Sequence, residues 1–80
     1  MGKCTDVFQK MKTDPDREWL ATDFKEFGPG GIGAALWSIN QHGLTTRSKA
    51  ANGRLTNLLT EKGRNWEGEV MYRGSPRKPK

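Results

Sequence analysis

The 80-residue chain has a single cysteine, Cys4, so no disulfide can staple it internally. No apolar run approaches the roughly 20 residues of a membrane-crossing helix. The opening residues Met1-Gly2-Lys3-Cys4-Thr5-Asp6 lack the apolar stretch of a secretory signal, and Asp6 stands where a myristoylation motif has Ser or Thr. Together these absences point to a reducing, cytoplasmic setting. Cys4 and His42 are too isolated to supply the three or four convergent ligands of a metal site. The Gly28-Pro29-Gly30-Gly31 run lacks the Lys-Ser/Thr of a phosphate-binding loop and follows no strand. No nucleophile is spaced against a base. The expectation is a protein that is not an enzyme and needs no metal or cofactor.

Only 32% of residues are apolar, but three Trp, three Phe and one Tyr give one small core enough bulk. The formal net charge is +5, and it is unevenly placed. Residues 1–40 carry five basic and six acidic side chains, whereas residues 41–80 carry nine basic and three acidic. A one-sided basic surface attracts polyanions, because neutralising phosphates releases condensed counterions.

Thr5 or Asp6 caps a first helix that carries Val7, Phe8 and Met11 and ends near Thr13, since Pro15 disfavours helical geometry at Asp14. Asp14 and Pro15 open a second helix, Pro15–Phe27, in which Leu20, Phe24 and Phe27 fall at i, i+4 and i+7. The third helix runs from Ile32 to His42 on the spacing of Ile32, Leu36 and Ile39, and stops at Gly43. Gly33 and Ala34 give it a small-residue patch where a backbone or ligand can come close. For residues 44–60 a single helix competes with a β-hairpin, Leu44–Lys49 and Arg54–Leu59. Asn52-Gly53 favours the hairpin, because a tight turn uses its positive φ angles and a helix interior loses about 1 kcal/mol to the glycine. Thr60 caps a last element at Glu61-Lys62-Gly63-Arg64. Trp66–Tyr72 stays open between helix and strand, with Gly68 weakening both. Residues 1–72 form the domain and residues 73–80 a basic, mobile tail.

The stretch from Leu36 through Gly43-Leu44-Thr45-Thr46-Arg47 and the turn to Leu59-Thr60-Glu61-Lys62-Gly63-Arg64 resembles the winged helix-turn-helix domains of bacterial multiple-antibiotic-resistance-type regulators. The resemblance implies an α+β fold of three helices followed by a β-hairpin wing. It also implies a bacterial or phage transcription regulator that binds duplex DNA. Ile32–His42 would then be the recognition helix and Ser48–Arg54 the wing. The residues placed at DNA are Ser38, Asn40 and Gln41 on the helix, and Arg47, Lys49, Asn52 and Arg54 on the wing. Arg73, Arg77 and Lys78 follow in the tail, where Arg73-Gly74-Ser75-Pro76 resembles an AT-hook with Ser75 in place of its second arginine. The helix itself has no Arg or Lys, so arginine-to-guanine readout is not available from it. Two other readings remain: a protein-interaction module on the same fold, including self-association through Trp37, and an RNA or single-strand binder that stacks bases on Trp37 or Trp66.

Overall fold

The computed structural model describes residues 2–28 and 30–73. The chain is mixed α+β: α1 (Lys3–Lys12), a 3-10 helix (Ala21–Phe27), α2 (Ile32–Gln41), β1 (Thr45–Lys49), β2 (Leu55–Leu59) and α3 (Glu61–Asn65). Val7, Phe8 and Met11 of α1 meet Ile32, Ala35, Leu36 and Ile39 of α2 in one core, closed by Trp19, Phe24, Leu44, Leu59 and Val70. The third expected helix holds to within one residue at its end.

The second expected helix does not form as drawn. Residues 15–20 are non-helical, and only Ala21–Phe27 winds, as a 3-10 helix with Phe24 off helical geometry at φ −116°. Trp19 and Phe24 are both buried, with ring centroids 5.3 Å apart. On one α-helix, side chains five residues apart point about 140° away from each other, so both could not enter the same core. The chain instead extends at Trp19, whose amide donates to the Asn57 carbonyl and whose carbonyl accepts from the Asn57 amide, each 2.8 Å. Asp23 then accepts a hydrogen bond from the Leu20 amide at 2.8 Å, fixing the start of the 3-10 helix.

Two further expectations are corrected. α1 starts at Lys3 with Gly2 as its N-cap, so neither Thr5 nor Asp6 caps it. Thr5 is buried, and its hydroxyl accepts from the Val70 amide at 3.0 Å. Residues 66–73 form neither helix nor strand but an irregular strap, and Val70 is its buried anchor. His42 Nε2 donates to the Met71 carbonyl at 2.9 Å, and the Arg73 amide donates to Ser38 Oγ at 2.9 Å.

The hairpin forms as an antiparallel pair with Thr45 opposite Leu59, Arg47 opposite Asn57 and Lys49 opposite Leu55. Its turn is longer than an Asn-Gly pair requires. The Gly53 amide donates to Ala50 O, the Ala50 amide donates to Arg54 O, and only Gly53 has positive φ, at 86°. This is a three-residue loop closed by one left-handed glycine. Thr60 does cap α3, accepting from the Gly63 amide at 3.0 Å and donating to the Gly43 carbonyl at 2.8 Å. Gly63 must be glycine for a different reason: a Cβ there would lie 2.1 Å from the Leu44 carbonyl oxygen.

Candidate nucleic-acid interface

Successive residues of an α-helix turn by about 100°, so Gly33, Trp37 and Gln41 lie along one stripe of α2, away from Ile39 and Ala35. Gly33 and Gln41 are exposed and Trp37 is half-buried. One flank of this stripe adjoins the hairpin, where Gly33 and Leu36 share a cleft with Arg47, Arg54 and Leu55. The other flank carries the strap, held by Ser38 and His42. The open stripe of α2 therefore lies between a cationic hairpin and the point where the chain leaves for its basic end.

Charge is sorted by location. Between Glu26 and Glu61 the sequence carries no Asp or Glu, and this acid-free stretch makes α2 and the hairpin. Three cations outside it are paired with acids. Lys10 pairs with Glu26 at 2.7 Å and holds that carboxyl below its ordinary value, Arg17 pairs with Asp23 at 3.0 Å, and Arg64 pairs with Asp16. Among the described residues, Arg47, Lys49 and Arg54 have no carboxylate partner.

Alternation along β1 puts Arg47 and Lys49 on one face with Thr45, as expected of a strand. It is the inner face, because Thr45 and its partner Leu59 are buried. Arg47 is consequently half-buried, whereas Lys49 and Arg54 are exposed. The cleft that Arg47 and Arg54 border has a volume of about 310 Å³ and is walled by Leu20, Leu36 and Leu55. A larger groove of about 570 Å³ runs between the start of α1 and the strap. Its cation, Lys3, is already bound to the Gly30 carbonyl.

The residues singled out from the sequence divide by this geometry. Arg47 and Arg54 meet at one cleft, while Gln41 and Lys49 are exposed. Asn52 sits at the exposed loop tip, where its Oδ1 accepts from the Arg54 amide at 3.0 Å and shapes the turn. Ser38 is fully buried, donates to the Ala34 carbonyl and receives the strap, so it presents no face to a partner. Asn40 is half-buried and donates to the Thr45 carbonyl at 2.8 Å, tying α2 to β1. Arg73 is exposed at the end of the strap, and Arg77 and Lys78 lie outside the described residues.

Sequence reading missed Asn57, a buried amide within a Leu-rich strand that lines the cleft beside Arg47. A polar residue at an inward register position was the available signal. Trp66 is half-buried against the core, with its indole N–H donating to Glu69 O at 3.3 Å.

Among the described residues no helix is long and apolar enough to cross a membrane, and no three His, Cys, Asp or Glu side chains converge as metal ligands. No protein-family model matches the chain, and no curated protein or solved structure matches it either.

Proposed function

We propose that this protein is a small DNA-binding regulator that grips duplex DNA through α2 and the cationic hairpin, in a winged-helix arrangement. The observation that carries this reading is the sorting of charge. No acid falls between Glu26 and Glu61, and within that stretch Arg47, Lys49 and Arg54 stand without a carboxylate partner on the hairpin beside α2, whereas three cations elsewhere, Lys10, Arg17 and Arg64, are matched with acids. A cationic hairpin free of nearby acids in sequence attracts a polyanion, because no carboxylate offsets its charge. Helices followed by a hairpin folded back against the second α-helix supports the same reading.

The stripe itself carries Gly33, Ala34, Trp37 and Gln41 and no cation, so affinity comes from phosphate contacts and base discrimination is modest. The test is fluorescence anisotropy with a short arbitrary duplex at low salt. Wild-type protein binds, and the double variant Arg47→Ala/Arg54→Ala binds at least tenfold more weakly, on roughly 1 kcal/mol or more per lost charged contact. Equal binding by both proteins sinks the hairpin assignment. Stronger binding to single strands than to duplex favours the stacking alternative through Trp37.

A further inference from the structure

An asparagine followed by glycine meets no side-chain obstacle when the next backbone nitrogen attacks its carboxamide. The chain has four asparagines: Asn40, Asn52, Asn57 and Asn65. Asn40 is bound to the Thr45 carbonyl, Asn57 is buried, and Asn65 precedes the bulky Trp66. Asn52 alone is followed by glycine. It is exposed at the loop tip, and a Cβ at Gly53 would meet nothing within 4 Å, so the Asn52-Gly53 peptide stands in open space.

The turn geometry favours the same attack. Asn52 Oδ1 accepts from the Arg54 amide at 3.0 Å. This bond spans the Asn52-Gly53 peptide as an Asx-turn, which folds the side-chain carbonyl carbon back toward the Gly53 nitrogen. It also polarises that carbonyl, and the same N–H meets the oxyanion that forms when a nucleophile adds there. The Gly53 amide itself donates to Ala50 O at 2.8 Å. Releasing it breaks one hydrogen bond at an exposed loop tip, the class of local opening that costs least, and leaves the Asn52–Arg54 bond in place.

We propose that Asn52 is a self-modifying site, where the hairpin converts its own amide to a carboxylate. The Gly53 nitrogen gives up its proton to hydroxide and bonds to Asn52 Cγ, and Nδ2 departs as ammonia. Water then opens the resulting succinimide, giving Asp by attack at the side-chain carbon or isoAsp by attack at the main-chain carbon. The net reaction consumes one water and releases ammonium, and nothing is oxidised or reduced. The product is an acid in the stretch between Glu26 and Glu61 that otherwise has none, in the same turn as Arg54. It offsets part of the charge that attracts a polyanion. That loss of duplex affinity rests on the DNA-binding reading above, whereas the modification does not.

The full-length protein is incubated at about pH 8, folded or in urea, and digested with trypsin. Cleavage after Lys49 and Arg54 isolates residues 50–54, whose Asn, Asp and isoAsp forms separate by chromatography. Folded protein should convert at Asn52 and not at Asn65, at a rate within about tenfold of the unfolded chain. Slower conversion than that, equivalent to ~1.4 kcal/mol of protection, means that the fold shields the amide, and the proposal falls. Wild-type protein aged to full conversion, and fresh Asn52→Asp, should bind a short arbitrary duplex roughly threefold more weakly than fresh wild type, the size of one exposed charge interaction. Asn52→Ser has no amide to lose, so its affinity should not decline over the same incubation. Conversion with undiminished binding upholds the modification and overturns its effect on the hairpin. If fresh wild-type protein binds no duplex at low salt, the DNA-binding reading fails, and the peptide alone decides the modification.

Discussion

Trp19 and Asn57, 38 residues apart, exchange backbone hydrogen bonds in both directions and also share a contact from Asn57 Nδ2 to the Trp19 carbonyl at 3.3 Å. This one bridge sets the position of Leu20 and the 3-10 helix relative to β2. It therefore makes the wall of the cleft that Arg47 borders. The tryptophan ring drops into the core beside Phe24, while Lys10 and Arg17 lie over it at 5.9 and 4.5 Å. The basic side chains nearest the bridge are thus committed to ring faces and acids, whereas those of the hairpin are not.

Two glycines of similar sequence appearance are expected to behave oppositely. Gly63→Ala drives a methyl group to within 2.1 Å of the Leu44 carbonyl, a backbone atom that cannot yield without moving the start of the hairpin. Overpacking of this kind costs about 1–3 kcal/mol. A Cβ at Gly33 meets nothing within 4 Å, and Gly33 lies inside α2, so Gly33→Ala gains up to about 1 kcal/mol of helix propensity. Urea unfolding of the two variants measures both. A stabilised Gly63→Ala would mean that α3 does not pack against Leu44 as described.

The core of this fold was legible in the sequence wherever side-chain spacing alone determines the outcome. Ile32, Leu36 and Ile39 specify α2, and Asn52-Gly53 specifies a reversal. The second helix was misread because Leu20, Phe24 and Phe27 have helical spacing, while the partner that overrides it, Asn57, lies far along the chain. Ser38 and Asn40 were read as outward-facing polar groups of α2. Both instead satisfy backbone groups of other segments, the strap and β1, whose positions no local pattern reveals. The hairpin that carries Arg47, Lys49 and Arg54 was read correctly as a pair of strands. That Arg47 turns inward follows from the strand register, which places it level with buried Asn57.

Thr5→Val is expected to loosen the C-terminal strap. The Thr5 hydroxyl accepts from the Val70 amide and donates back to the Val70 carbonyl at 3.4 Å, both within buried surroundings. Valine keeps the shape and removes the partner, leaving a buried amide unmet at a cost of about 1–3 kcal/mol. Hydrogen exchange at Val70 should accelerate by one to two orders of magnitude, a larger change than at amides in the middle of α2. Unchanged protection at Val70 would show that apolar burial alone seats the strap.

Alkaline pH should weaken the fold through Cys4. This thiol is buried against α2, and burial, partly opposed by a hydrogen bond with Ser38, pushes it above its ordinary value near 9.0. An acid whose pKa is raised by folding stabilises the native state while it is protonated. That contribution is complete below pH 9 and is lost as the solution rises through the folded value. Chemical denaturation from pH 7 to pH 10.5 should show a decline that Cys4→Ala reduces, and alkylation of Cys4 at pH 8 should be slow until urea is added. Rapid labelling of the native protein contradicts the burial.

Salt provides the most direct count of phosphate contacts. Each phosphate neutralised on duplex DNA contributes about −0.9 to the slope of log K against log salt. If Arg47, Lys49 and Arg54 each engage one phosphate, the hairpin supplies a slope of about −3, and anything steeper measures the basic residues from Arg73 onward. If Arg47 and Arg54 instead share one phosphate in the cleft, the hairpin supplies only about −2. Removing both arginines then lowers the slope by about 1 rather than 2, although affinity at low salt falls more than for Lys49→Ala. Anisotropy titrations across a salt series therefore distinguish shared from separate phosphates. A drop of about 2 with both arginines removed would place Arg54 on a phosphate of its own, outside the cleft.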